Sequence, residues 1–206
     1  MLSSFSAAWN SLFTKHPSEY KTGGVTITEQ ELSAKNKALT VNCSEAVSFP
    51  SKQFNGYDMF SALSESNCDG ALLVSNGDGT YDMVYIEMKS RFSTDEVFKA
   101  KCQIVETYTK MQSLLRMMKD YATLSVKRVH GIIETQALDA DQEVWWLKQQ
   151  MLSEELLQFG ERLLKYSEVK APTRCQKELA MPAEMTFRIL LSDEAHYTVN
   201  YSALCG

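Results

Sequence analysis

A turn signal between two short apolar segments limits how this chain can fold more than any other stretch does. Residues Ser75 to Thr80 read Ser-Asn-Gly-Asp-Gly-Thr, and asparagine, aspartate and glycine tolerate the positive φ angles of tight turns. The flanking segments 71–74 (Ala-Leu-Leu-Val) and 83–86 (Met-Val-Tyr-Ile) are apolar and contain β-branched or aromatic residues. The pattern predicts a β-hairpin.

The length of the loop decides which residues meet at the far end of this hairpin. A three-residue loop at 77–79 places Asp69 opposite Glu87, whereas a two-residue loop would shift the pairing by one residue. Opposed residues of an antiparallel pair share one face of the sheet, with Cβ atoms about 5 Å apart. Lys89 lies two positions beyond Glu87 and shares that face. Two carboxylates and an amine at one place are costly unless a metal or an anionic substrate uses them, so these residues form the candidate site.

The composition is typical of one globular domain, which we expect to span residues 1–206. Of the 206 residues, 44% are hydrophobic and 23% are charged, which fits a soluble chain with a single core. The formal net charge is -5, which by itself is not the signature of a nucleic-acid-binding protein. Any contact with nucleic acid is therefore expected to be local, metal-assisted or helped by another subunit.

The cysteines and the hydropathy pattern indicate a cytoplasmic protein. The five cysteines show no Cys-x-x-Cys spacing, so we expect neither a zinc site nor a disulfide framework. No stretch approaches the roughly 18 apolar residues of a membrane span, and the first residues do not follow the pattern of a signal peptide. We therefore expect no membrane contact.

The remaining sequence predicts an α/β fold with a central mixed β-sheet flanked by helices. Three helices are predicted from apolar residues at helical spacing, over 1–13, 93–121 and 141–165. Four further strands are predicted, over 25–28, 38–43, 126–133 and 184–191. The second helix begins with a capping box at Ser93 and Glu96, and segment 29–38 could be helical.

The hairpin and its surroundings resemble the PD-(D/E)XK phosphodiesterase superfamily, which has the restriction-endonuclease-like fold. Asp69 is followed eighteen residues later by Glu87-Met88-Lys89 at the end of an apolar strand, and then by a helix and another strand. The proline of the family name is absent. The resemblance covers a core of about 67–135, with the rest of the chain as N-terminal and C-terminal elaborations.

The resemblance implies a metal-dependent nuclease that cuts phosphodiester bonds, in DNA in preference to RNA. Asp69 and Glu87 would bind Mg²⁺, for which Mn²⁺ substitutes, and the backbone carbonyl of Met88 would add a ligand. Lys89 would orient the attacking water or neutralise developing negative charge. Small nucleases of this kind often serve as the cutting module of a bacterial defence or restriction system.

The resemblance also indicates residues outside the motif. Several members carry a glutamine on the following helix, and Gln103 is the candidate here, fourteen residues past Lys89. Members often supply a glutamate from an upstream helix as well. Glu31 and Glu45 are both candidates for that role, and the sequence does not choose between them.

A different class of function fits the same residues, namely a non-catalytic interaction or adaptor subunit that retains the nuclease-like scaffold. This alternative predicts that the carboxylates of Asp69 and Glu87 lie apart or are held in salt bridges. The predicted helix 141–165 also carries the neighbouring Trp145 and Trp146, which cannot share one helix face. We therefore expect a protein partner or a second copy of the chain at this helix.

Overall fold

The structure is a computed structural model that describes residues 1–29, 34, 37–49, 67–136, 159–160, 162–163, 168–172 and 184–205. The α-helices with at least five described residues are α1 (Leu2–Leu12), α2 (Thr94–Leu115) and α3 (Tyr201–Cys205). The strands are β1 (Glu19–Thr22), β2 (Val25–Thr28), β3 (Ala38–Asn42), β4 (Glu45–Phe49), β5 (Gly70–Ser75), β6 (Thr80–Lys89), β7 (Ser125–Thr135), β8 (Glu168–Pro172), β9 (Glu184–Leu191) and β10 (His196–Asn200). None of the described helices is long and apolar enough to cross a membrane.

The strands form a mixed seven-stranded sheet in the order β1-β4-β5-β6-β7-β9-β8, together with a three-stranded sheet in the order β10-β3-β2. Strands β1, β4, β5 and β6 pair antiparallel in succession. Helix α2 then connects β6 to β7, which runs parallel to β6 and is followed by the parallel neighbour β9. The predicted α/β class with a central mixed sheet is therefore confirmed.

The β5–β6 hairpin has the predicted register. Gly70 pairs with Ile86 and Ser75 with Tyr81, so the strands are joined through the three-residue loop at 77–79. The backbone N–H of Asn76 donates a hydrogen bond of 2.9 Å to the carbonyl oxygen of Thr80 and closes this loop. Both glycines of the loop have positive φ angles, of 81° and 82°, which explains why the turn needs them.

The large sheet separates two hydrophobic cores. Leu73, Met83 and Tyr85 face α1 and α2 on one side of the hairpin, while the alternating residues Leu72 and Val84 face the small sheet and α3 on the other. The prediction of helices around the sheet is thus correct for one face. In the described part of the chain, the other face is covered mainly by strands, because β3 pairs with β2 on one edge and on the other with β10, a C-terminal strand that we did not predict.

The element boundaries agree with most of the predictions. Helix α1 and strands β2, β3 and β9 lie where they were expected, and Ser93 caps α2, its hydroxyl accepting a hydrogen bond of 3.3 Å from the backbone N–H of Glu96. Helix α2 ends at Leu115, before the predicted boundary. Strands β1, β4, β8 and β10 were not predicted.

Two predicted helices lie largely outside the described residues. Most of segment 29–38 and most of segment 141–165 belong to this group, including Trp145 and Trp146, so the expected interface at this second segment stays a prediction. Phe159 and Leu163 of segment 141–165 are buried in the core that faces α1 and α2.

Gly70 allows the small sheet to approach the hairpin, and this contact gives a first prediction. A Cβ atom at Gly70 would lie 2.6–2.9 Å from three side-chain carbons of Ile27, two of them the γ carbons next to the Ile27 backbone. We expect Gly70→Ala to lower the free energy of unfolding by about 1–3 kcal/mol, measured by urea denaturation. Ile27→Ala alone should cost about 2–4 kcal/mol, and the double variant should cost less than the sum. Additive costs would show that the two residues do not clash.

Candidate functional site

Asp69 and Glu87 lie side by side at the open end of the hairpin. The backbone N–H of Asp69 donates a hydrogen bond of 3.1 Å to Oε2 of Glu87, and the backbone N–H of Met88 donates one of 2.6 Å to Oδ2 of Asp69. Each carboxylate thus accepts a hydrogen bond from the strand that carries the other. This cross-connection follows from the hairpin register, because Asp69 is the next residue beyond the Gly70–Ile86 pair.

Lys89 forms a buried ion pair with Glu87. Its Nζ lies 2.7 Å from Oε1 of Glu87, and the exposed fractions of the two side chains are 10% and 4%. The same ammonium donates a hydrogen bond of 2.8 Å to Oε1 of Gln103 and lies 3.7 Å from a carboxylate oxygen of Glu96. The structure therefore brings Asp69, Glu87, Lys89 and Gln103 together.

Polar side chains on one face of α2 hold the segment that leads into β5. Gln103 donates through Nε2 to the carbonyl oxygen of Asn67 at 3.3 Å, and Lys110 donates to Oδ1 of Asn67 at 2.9 Å. Between them, the hydroxyl oxygen of Thr107 accepts a hydrogen bond of 2.8 Å from the backbone N–H of Cys68. Residues spaced by four and three positions share one helix face, so α2 clamps this segment at three points. The sequence analysis missed Thr107 and Lys110, which resemble the solvent-facing residues of an amphipathic helix.

The clustered residues line a polar cavity of about 560 Å³. Its wall includes four carboxylates and three basic side chains, namely Glu29, Asp69, Glu87 and Glu96 with Lys89, Arg91 and Lys99. Arg91 and Lys99 are exposed, whereas Glu87 and Lys89 are buried. The cavity thus combines exposed basic residues with a buried Glu87–Lys89 pair.

Glu29 is the upstream glutamate of this cavity. Of the two candidates from the sequence, Glu31 lies outside the described residues, and Glu45 is excluded by its position. Glu45 precedes Ala46, which pairs with Val74 near the turn end of β5, and its carboxylate accepts a hydrogen bond of 2.9 Å from the hydroxyl of Tyr20. The expectation for Glu45 was wrong because β4 runs antiparallel to β5. The sequence feature that could have identified Glu29 is its position directly after β2, whose residues alternate between buried and exposed.

The surroundings of Glu87 oppose the charged form of its carboxyl group. Burial, the neighbouring charge of Asp69 and, to a smaller extent, the carboxylate of Glu29 raise the pKa of the Glu87 carboxyl. Lys89 lowers it, and the pKa that results is about 8. A further positive charge near Glu87 would stabilise the ionised form of its carboxyl group.

The donor set fits a hard divalent cation. Within the described residues, no three histidine, cysteine, aspartate or glutamate side chains gather closely enough to form a complete ligand shell. Mg²⁺ does not require such a shell, because it is usually held by one or two carboxylates and keeps several of its waters. Asp69 and Glu87 supply those carboxylates beside a polar cavity with room for water and substrate.

No family model, curated protein or solved structure matches the chain. The fold and the site together define a mixed α/β protein with an acidic, lysine-containing cavity at the end of a hairpin. Its function is therefore inferred from these residues.

The clamp on α2 can be tested with two threonines of the same helix. Thr107 and Thr109 are both buried and both donate to the carbonyl oxygen four residues earlier, but Thr107 also accepts the hydrogen bond from Cys68. Thr107→Val should therefore lower the free energy of unfolding by about 1–3 kcal/mol more than Thr109→Val, because it leaves a buried N–H without its acceptor. Urea denaturation measures this difference, and amide hydrogen exchange should show faster exchange at Cys68 in Thr107→Val alone. Equal effects of both substitutions would contradict the clamp.

The raised pKa of Glu87 predicts how stability depends on pH in chelator-containing, metal-free buffer. The unfolded carboxyl ionises near its model value of 4.5, whereas the folded one keeps its proton up to about pH 8. The folded state binds more protons in this window, so the free energy of unfolding should fall as the pH rises from about 4.5 to about 8. Glu87→Gln cannot ionise and should show a shallower decrease in urea denaturation across that window. The control Glu45→Gln should follow the wild type, and identical slopes for wild type and Glu87→Gln would refute this prediction.

Proposed function

We propose that the protein is a Mg²⁺-dependent nuclease that hydrolyses phosphodiester bonds in nucleic acid, in DNA in preference to RNA. The observation that carries this proposal is the convergence of Asp69, Glu87 and Lys89 in one polar cavity. These residue types at one point match the division of labour in the PD-(D/E)XK superfamily, in which two acids hold the metal and a lysine assists the attack.

The order of elements around the cavity supports the same proposal. The antiparallel strands β4, β5 and β6 are followed by α2 and by β7, which is parallel to β6. The acidic residues lie at the end of the central hairpin, and α2 packs on the face of the sheet that carries them. This arrangement is the one expected of a restriction-endonuclease-like core over about 67–135.

Asp69 and Glu87 would hold the metal, with the backbone carbonyl of Met88 as a further ligand and Glu29 close enough to influence the charge of Glu87. When bound, Mg²⁺ lowers the pKa of a coordinated water and shields the negative charge that develops on the phosphate. A cation beside Asp69 and Glu87 would favour the charged form of Glu87, which its burial and the charge of Asp69 disfavour.

Lys89 and the exposed basic residues act on the substrate in this proposal. Gln103 and Glu87 hold the Lys89 ammonium in place, where it orients the attacking water or donates to a phosphate oxygen. Arg91 and Lys99 line the same cavity and are exposed, which suits contacts with neighbouring phosphates of the strand. The overall charge of -5 fits such local contacts better than a broad basic surface.

The acidic charge and the modest size also fit a cutting module whose partner protein, or second copy, selects the target. A cytoplasmic place in a bacterial defence or restriction system is part of this proposal. It comes from the resemblance to small nucleases of the PD-(D/E)XK superfamily.

One observation favours the second candidate function, a non-catalytic adaptor with a nuclease-like scaffold. Glu87 is held in a buried salt bridge by Lys89, as that alternative predicts. The alternative does not explain why a second carboxylate, that of Asp69, lies beside this pair, because neighbouring carboxylates repel each other. Titration with Mn²⁺ in a calorimeter separates the two functions, since an adaptor should bind no divalent ion at this site.

The nuclease proposal predicts metal-dependent cleavage that depends on named residues. Purified protein should cut DNA in Mg²⁺ or Mn²⁺ and not in chelator. Both Glu87→Gln and Lys89→Met should lower the rate by a factor of about 10² or more, because the first weakens the metal site and the second removes the ammonium that acts on the reacting phosphate. The control Glu45→Gln removes a carboxylate at the other end of β5 and should cleave like the wild type. Parallel assays on single-stranded DNA, double-stranded DNA and RNA identify the preferred substrate.

Thermal unfolding of each variant shows whether the fold is kept. Folded Glu87→Gln and Lys89→Met proteins that cleave as fast as the wild type would refute the nuclease proposal. Cleavage by the wild type that continues unchanged in chelator would refute its metal dependence.

A further inference from the structure

A second and larger cleft lies at the opposite end of the hairpin. Its volume is about 850 Å³, within the range of roughly 300–1,000 Å³ that small-molecule sites occupy. It borders the turn at 77–79 and is completed by residues of the small sheet and of α3. Strand β5 has six residues, so the cleft lies about 20 Å along the sheet from Asp69. It is therefore separate from the cavity that carries the proposed nuclease activity.

A β-bulge brings two consecutive cations to this cleft. Tyr81 of β6 pairs with Val126, and the next residue, Asp82, pairs with Arg128, so Lys127 is an extra residue of β7 without a partner in the ladder. Consecutive residues of a regular strand point to opposite faces of the sheet. The bulge removes that alternation here, and both Lys127 and Arg128 line the cleft. Bulges commonly redirect side chains at binding sites.

A buried carboxylate fixes the direction of the Arg128 side chain. Nε and Nη2 of Arg128 lie 2.9 and 2.8 Å from Oδ2 of Asp82, which is fully buried. Tyr201 donates its hydroxyl to the same oxygen, and Asn76 donates to the other oxygen at 3.2 Å. Burial raises the pKa of the Asp82 carboxyl, but the adjacent His130 and these donors lower it by more, so the group stays ionised. Asp82 thereby fixes the guanidinium through Nε and Nη2. The Arg128 side chain is still 45% exposed, and its Nη1 group takes no part in this pair.

Lys127 is held much more weakly. Its Nζ lies 3.0 Å from a carboxylate oxygen of Asp78, and both side chains are more than half exposed. An exposed pair of this kind contributes little to stability, about 0–1 kcal/mol, so an incoming anion can replace Asp78 at little cost. The cleft therefore offers one oriented guanidinium and one mobile ammonium to the same ligand.

The rest of the cleft is rich in neutral hydrogen-bonding groups. The amides of Asn42, Asn76 and Asn200 and the hydroxyls of Ser44 and Ser202 line it. Amides and hydroxyls provide both donors and acceptors, which suits a ligand with a neutral polar body. Guanidinium and ammonium groups suit a phosphate.

We propose that this cleft binds a small phosphorylated ligand, with its phosphate on Lys127 and Arg128 and its neutral polar body on the asparagine amides. Nucleotides and sugar phosphates share this chemistry. The site does not depend on the proposed nuclease activity, and it can be tested in chelator, where that activity is absent.

Calorimetric titrations of the full chain at low salt provide the test. The probes are AMP, GMP, CMP, UMP, glucose 6-phosphate, inorganic phosphate and, as the unphosphorylated comparison, adenosine. At least one of the phosphorylated organic probes should bind at least about tenfold more tightly than both adenosine and inorganic phosphate, because it uses the cations and the amides together. If a nucleotide binds most tightly, the site is assigned to nucleotides. If glucose 6-phosphate binds most tightly, it is assigned to sugar phosphates.

Matched lysine variants locate the binding. Lys127→Gln should weaken the best probe about tenfold, whereas Lys21→Gln should not, although Lys21 is also an exposed lysine paired with a carboxylate, at 2.8 Å from Glu19. Arg128→Lys keeps a positive charge above Asp82 and loses the planar fork, so it should also weaken the probe. The proposal is wrong if no phosphorylated probe binds, if inorganic phosphate binds as tightly as the best organic probe, or if Lys127→Gln and Lys21→Gln both bind like the wild type.

Discussion

The pairing register of β5 with β6 is the constraint on which the rest of the molecule depends. A shift by one residue would move every hairpin side chain to the opposite face of the sheet, exchanging the residues that face α2 with those that face the small sheet. The same shift would take Asp69 away from Glu87. A three-residue turn with two glycines at positive φ sets this register, so local turn chemistry determines both cores and the candidate site together.

Helix α2 shows that the site also shapes the packing around it. A helix that packs only for stability would present apolar residues to the sheet, because a buried charge or amide costs free energy unless it is paired. Helix α2 does so with residues such as Ile104 and Met111, but a neighbouring stripe of the helix carries Gln103, Thr107 and Lys110, each bonded to the segment that precedes β5. These bonds satisfy the polar groups and fix the backbone beside Asp69. We interpret this polar face as the support that keeps an acidic pair in place, where mutual repulsion would otherwise separate it.

Short-range signals were enough to predict the hairpin, the start of α2 and the meeting of Asp69, Glu87 and Lys89, because turn chemistry, capping and strand alternation act between near neighbours. Gln103 was a candidate only through the family resemblance. The elements that the sequence did not reveal depend on distant partners. Strand β10 is mostly exposed and pairs with β3, to which it contributes the Asn200–Asn42 contact across 158 positions of the chain. Glu29 lines the cavity because the small sheet packs over Gly70. No local sequence pattern predicts this packing.

The two faces of the hairpin carry two different arrangements of buried charge. On the α2 side, burial and the charge of Asp69 raise the pKa of Glu87, so its carboxylate form would be stabilised by a cation bound beside it. On the side of the small sheet, Asp82 is surrounded by donors and stays ionised, so it can orient a cation toward solvent and present it to an anion. The pKa of a buried carboxyl group is thus lowered at Asp82 and raised at Glu87, because the neighbouring groups differ in charge and number. Both arrangements share strand β6, whose Asp82 and Glu87 point to opposite faces, so a rigid hairpin is enough to keep the two sites apart.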